Sequence, residues 1–248
     1  MADDATAAAA PAAATTTAAP TAPSPNTQPN PITLRAPSKY LPNPSIASPS
    51  TTALSPFVAP PVDWLHGTWT VTHSTLSMWR SAQNVRITYA PHDDATPNDG
   101  VNDNIVEYEK KNRTNGRVRS VLGVEKPDPK IPAAWNWRGK GWLAIASSHW
   151  EVLGWGERPL SSSPTHEESE DGEGEEEGVE RWAVTWFAPT LFTEEGVDLY
   201  SDRRVGLQKE TADAIIAELK KLKAPKLVQL VEKKMMEVAI KLPWKERD

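Results

Sequence analysis

The sequence has no cysteine. That excludes a disulfide framework, an iron–sulfur cluster and a thiolate zinc site. It has no apolar run long enough to span a bilayer. It also lacks a basic surplus: 27 Lys and Arg stand against 33 Asp and Glu, for a formal net charge of -6. Binding to phosphates needs a basic face, so nucleic acid is not an expected partner. No Gly-rich phosphate loop, Gly-x-Ser-x-Gly elbow or paired-histidine metal spacing occurs. Cations are missing from the start as well. The chain opens Met1-Ala2-Asp3-Asp4 and its first basic residue is Arg35. A secretory signal opens basic and a mitochondrial presequence is Arg-rich, so the expected location is cytoplasmic or nuclear.

Large apolar side chains are nearly absent from residues 1–60, which are rich in Ala, Pro, Thr and Ser. Proline removes backbone donors and fixes φ, and so little apolar surface cannot offset the entropy of ordering. A disordered tail is expected there. Ser-Pro steps at Ser24, Ser48 and Ser55 are candidate phosphorylation sites, and Leu54 to Trp64 is expected to pack on the domain as the chain enters it. A second acidic, glycine-bearing stretch, 161–179, reads as a disordered loop because like charges at that density repel.

Structure begins at Leu65-His66-Gly67-Thr68-Trp69-Thr70-Val71-Thr72-His73, where alternation of period two sets in. Further strand-like runs follow at Val85–Tyr89, Ile105–Lys111, Val118–Glu125, Ala134–Arg138, Ser148–Gly156, Glu180–Ala188 and Gly196–Ser201. Trp142 to Ala146 reads as an extension of the fifth strand or the start of the next. The period then changes to helical. Lys209–Leu222 carries Ala212, Ile215, Ile216 and Leu219 on one stripe with Thr211 as N-cap, and Pro225–Leu242 reads as a second amphipathic helix. A meander of about eight strands hides its edges by closing into a barrel, whose interior just fits side chains or one small ligand. The expected fold is therefore all-β: a closed eight-stranded antiparallel up-and-down barrel over 61–222, then C-terminal α-helices, with 223–248 as a separate amphipathic helix.

This layout resembles the calycin superfamily, and the lipocalins most. Gly67-Thr68-Trp69 stands where lipocalins carry Gly-x-Trp at the first strand. Arg203-Arg204 stands just after the last strand, and a helix follows. The resemblance implies that Gly67 and Trp69 close the barrel floor, with Arg203 or Arg204 packing across the indole by cation–π attraction. The family's Thr-Asp-Tyr motif between strands six and seven is absent, as are its cysteine pair and secretory signal. The nitrobindin-like haem barrels share the Gly-x-Trp start, which makes haem the alternative cofactor.

Eleven tryptophans are the chain's most unusual feature. Trp135 and Trp137 share one strand face, as do Trp182 and Trp186; if those faces point inward they wall a cavity suited to a flat, apolar or aromatic ligand. Core packing is the plainer reading of each. Tyr89 and Tyr108 are candidate hydroxyl contacts. His73, on the face of Trp69 and Val71, and His149 are candidates for haem ligation, against the plainer reading of hydrogen-bonded structural histidines. The expected partner is a small hydrophobic ligand, and the C-terminal helix could engage a protein. No residue is assigned as catalytic or metal-binding. An isomerase or cyclase of apolar metabolites on the same barrel is the enzymatic alternative.

Overall fold

The computed structural model describes residues 31–41, 57–93, 99–111, 117–160, 178–191 and 193–245. The expected disorder of 1–30 and 42–56, the three Ser-Pro steps and the acidic run 161–177 lie outside them.

The period-two runs form β1 (Gly67–Ser74), β2 (Ala82–Pro91), β3 (Asn102–Lys110), β4 (Arg119–Pro127), β5 (Ala134–Gly139), β6 (Ser147–Pro159), β7 (Val179–Phe187) and β8 (Gly196–Ser201). Each pairs antiparallel with the next. β1 pairs with both β2 (Gly67↔Tyr89) and β8 (Thr70↔Ser201), so the eight-stranded sheet closes on itself. The expected closed, eight-stranded, up-and-down barrel is therefore what forms. The Trp142 segment extends no strand; Gly141–Leu143 is a 3-10 turn.

The chain enters through a short helix, α1 (Val62–Leu65), and leaves through α2 (Lys209–Leu219) and α3 (Pro225–Lys234). Gln208, not Thr211, is the N-cap of α2, and Thr211 is buried within the helix. Ile215, Leu219, Leu227 and Val231 face the outside of β7 and β8, where they pack with Leu153, Trp182, Val184, Trp186, Val197 and Leu199. Burial of each such aliphatic side chain contributes about 1.5–3 kcal/mol. The barrel thus has two cores: an inner one, and an outer one between this wall and the helices.

Two segments depart from the sequence expectation. The first is residues 31–41, placed in the tail from composition, which lie as an ordered strap across β6. Arg35 N–H donates to Leu153 O at 2.8 Å, and its Nε donates to Val152 O at 2.9 Å. Its guanidinium pairs with Glu151 at 3.3 Å, both side chains fully buried, while the Ser38 N–H and hydroxyl also donate to Glu151. Leu34 and Ala36 join the outer core, so the strap is anchored by this buried charge and by apolar packing together. Arg35 is also covered by the Phe57 ring at 4.6 Å.

The second is the C-terminus. The helix expected over 225–242 stops at Lys234, and β9 (Met236–Glu237) runs extended beside His73 and Ser74. β1 and β2 diverge beyond the Thr70↔Arg86 pair, which leaves strand edges that a helix could not satisfy. The extended segment fills this seam. Val238 N–H donates to Thr72 O, and Asn84 N–H donates to Ala239 O. The Asn84 amide also brackets Lys241, donating to its carbonyl and accepting from its N–H. Trp244 is held between the guanidinium groups of Arg86 and Arg204, each 5.1 Å from its ring. The apolar face of α3, offered as a surface for a protein partner, is covered by the barrel wall through Leu227 and Val231.

Candidate functional site

The closed end of the barrel is built around Trp69. Gly67, at φ 121°, turns the chain from α1 into β1 in a conformation that favours glycine. The Trp69 indole is buried and donates to Leu65 O at 2.7 Å, which satisfies the short helix's last turn. Trp64 packs on Trp69 at 5.0 Å and on Trp155 at 4.7 Å. The arginine across this cluster is Arg181, from β7: its guanidinium lies 4.4 Å from the Trp64 ring and 5.0 Å from the Trp69 ring, and it donates to Trp64 O. Arg203 instead stands 3.7 Å from the buried Glu180, and Arg204 covers Trp244. The clasp on Trp69 exists, but its cation comes from within the sheet. Both arginines after the last strand are drawn to other partners.

Above this floor lies a cavity of about 200 Å³. Its base carries the buried side chains of Tyr89, Asn104, Glu125 and Trp150. Met78 and Trp79, from the 3-10 turn Ser77–Ser81 between β1 and β2, reach over it. The inward-facing Val106, Tyr108 and Val121 are only half-buried, which marks the mouth. Ile87, Trp137, Ser148 and Phe187 complete the wall. The aromatic groups form an ordered stack: Trp150 lies 4.6 Å from Trp135 with 18° between planes, 5.6 Å from Tyr89 and 6.4 Å from Phe187. Trp79 meets Tyr108 edge-on at 5.5 Å.

Several polar groups line this cavity. Glu125 faces Trp137 across the β4–β5 pair. Gly123, two residues earlier on the same face, leaves the space that Trp137 fills, and a Cβ there would overlap the indole Nε1. Glu125 Oε2, Asn104 Oδ1 and the indole N–H groups of Trp79, Trp137 and Trp150 have no hydrogen-bond partner of good geometry among the described residues. Burial pushes the Glu125 carboxyl well above the usual carboxylate range, opposed by the nearby Trp150 indole. Asp198, on the inner face of β8, is likewise pushed up to about 7 by burial, against the hydrogen bond that Ser74 Oγ donates to it. Burial and neighbouring acids raise Tyr89 and Tyr200 well above the usual phenol value. The interior thus holds acids that burial biases toward their protonated, proton-donating forms within an aromatic enclosure.

Of the residues expected to line a cavity, Tyr89, Tyr108 and Trp137 do so. Trp135 belongs to the inner core but sits behind Trp150, with its indole toward Gly100 O at 3.4 Å. Trp182 and Trp186 point the other way, into the outer core under α2 and α3; the small Ala183 faces inward between them. A register shift between Val71 and His73 takes His73 off the inner face. Burial lowers the pKa of its imidazole and outweighs the nearby Glu237 and Asp213, which raise it. His149 binds Asn136 at 3.1 Å and Glu151 at 3.4 Å, outside the barrel. Among the described residues no imidazole therefore lines the cavity, and the residues present do not fit an axially ligated haem. Residues not selected from sequence are Glu125, Asn104, Trp79, Trp150 and Phe187. Alternation puts Val121, Gly123 and Glu125 on one face, but Leu122 and Val124 on the other are equally apolar, so the pattern alone does not say which face is inside.

No family model matches the chain, and no curated protein matches it. Among solved structures it is similar to lobster apocrustacyanin A1, with a TM-score of 0.42 and 9% identity over 72% of this chain and 79% of that one.

Proposed function

We propose that this barrel binds a small, flat, largely apolar molecule, of one or two rings, in the cavity between Trp79, Tyr89, Trp137 and Trp150. The observation that carries the reading is an aromatic-walled space of about 200 Å³ with unpartnered polar atoms at its base. An apolar cavity of about 150 Å³ admits benzene, which sets the size class. A ligand whose polar atoms meet these groups recovers part of the about 1–3 kcal/mol that an unpaired buried polar group costs. Small aromatic compounds should quench tryptophan fluorescence saturably, because the cavity walls include Trp79, Trp137 and Trp150. A panel of such compounds that gives no saturable quenching overturns the proposal.

The enzymatic reading on the same barrel draws on the same carboxyl. A protonated Glu125 enclosed with an apolar substrate is placed as a general acid for isomerisation or cyclisation. It requires turnover that Glu125→Gln abolishes while ligand quenching persists. The proposal also carries a cytoplasmic or nuclear location, testable with a fluorescent fusion. Among the described residues, no helix is long and apolar enough to cross a membrane.

A further inference from the structure

Resting on the binding role proposed above, the geometry points to a narrower ligand class: we propose that the cavity selects a small arylalkylamine, its ring among the indoles and its nitrogen held by Glu125 Oε2 and Asn104 Oδ1. Neither atom has a hydrogen-bond partner of good geometry among the described residues, and both belong to nine-tenths-buried side chains that line the cavity, on the neighbouring strands β3 and β4. An ammonium carries three N–H donors on one atom, enough in number for a carboxylate oxygen and an amide oxygen together. A single hydroxyl supplies one. The surroundings suit a cation as well. Trp137 lies directly across from Glu125, and aromatic rings make up much of the surrounding wall, an environment that attracts a cation positioned over a ring face.

The protein leaves this charge for the ligand to supply. Among the described residues no Lys, Arg or His pairs with Glu125. The titratable groups that feel its charge, Tyr89 and Tyr200, are acids. In the free protein the carboxyl is therefore held protonated by burial. An incoming ammonium turns the same site into an ion pair. The balance is R–NH3⁺ + Glu125–COOH → [R–NH3⁺···⁻OOC–Glu125] + H⁺: the O–H bond of the carboxyl breaks, no other covalent bond changes, and the proton leaves to buffer.

The test is calorimetric titration of the full chain with three probes of matched shape: 2-phenylethylamine, 2-phenylethanol and propylbenzene. At pH 7 the amine is expected to bind at least about tenfold tighter than either neutral probe, as a charge-assisted bond in a dry site should. Repeating the titration in buffers of different ionisation enthalpy should show about one proton released per amine bound and none for propylbenzene. Glu125→Gln, which keeps shape and folding, should abolish both the proton release and the preference for amine over alcohol. If that variant does not fold, Asn104→Leu serves, with an expected loss of amine affinity larger than its loss of propylbenzene affinity. Equal binding of amine and alcohol, or amine binding without proton release, overturns the inference and leaves the broader binding role standing. Failure of all three probes to bind overturns both.

Discussion

Replacing Asp198 with asparagine removes the titration of one acid enclosed in the barrel while keeping the acceptor that Ser74 Oγ donates to. Its folded pKa of about 7 lies above the ordinary value of 3.8, so the folded chain holds this proton more tightly than the unfolded chain does. The resulting stabilisation is fully present below about pH 4 and is lost as pH rises through 7. A tenfold difference in proton affinity is worth about 1.4 kcal/mol, so between pH 5 and pH 7 this one group should remove about 2 kcal/mol of unfolding free energy. Glu125, raised in the same direction, adds a parallel slope in the wild type. The discriminating quantity is therefore the difference between wild type and Asp198→Asn. Urea unfolding at pH 5, 6 and 7, followed by near-ultraviolet circular dichroism, should show the wild type losing about 2 kcal/mol more than the variant over that interval. Equal slopes would refute the placement of Asp198 as a buried, protonated acid.

Three further outcomes are expected. Arg35→Met strands the buried Glu151 carboxylate and should cost about 3–5 kcal/mol by urea denaturation, and adding Glu151→Met should recover part of that loss. Arg181→Met removes the guanidinium from two indole faces and should lower stability by about 1–3 kcal/mol, whereas the more exposed Arg204→Met should cost under about 1 kcal/mol. Gly123→Ala forces the Trp137 indole aside; it should destabilise by about 1–3 kcal/mol and alter the near-ultraviolet aromatic signal.

The barrel was legible because alternation, turn residues and the change to a helical period are local signals. The start of β1 at Gly67 and the span of β8 at Gly196–Ser201 follow directly from them. Which face of a strand points inward was legible only where the other face meets water. β7 is covered on both sides, so Trp182, Val184 and Trp186 read as inward although they lie under the helices. His73 illustrates a second limit: the shift after Val71 changes the face of every later residue in β1, and a bulge has no reliable mark in sequence. Arg181, a charged residue that alternates with apolar neighbours on β7, has the pattern of a solvent-facing side chain and carries no local mark of its role on Trp69. The charge that packs on Trp69 depends on which strand lies above the floor, which only tertiary pairing decides. The strap at 31–41 was hidden by the composition of the stretch around it, since what holds it is a buried ion pair together with a few apolar side chains, Leu34 and Ala36 among them, within an otherwise Pro- and Ser-rich run. The C-terminal seam follows from the divergence of β1 and β2, a feature of the closed sheet and not of residues 236–241 themselves.

The central claim is that the space beneath Trp79 admits a small aromatic molecule. Affinity for propylbenzene or 2-phenylethylamine, measured by calorimetry on matched tryptophan insertions, tests it most directly. Val106→Trp fills the mouth from its inner wall, whereas Leu122→Trp adds the same side chain on the outer face of the adjacent strand, where Leu122 is 38% exposed. The account predicts that Val106→Trp weakens binding by about tenfold or more while Leu122→Trp changes it by less than about twofold. Equal effects of the two substitutions, or binding that survives Val106→Trp, would contradict it.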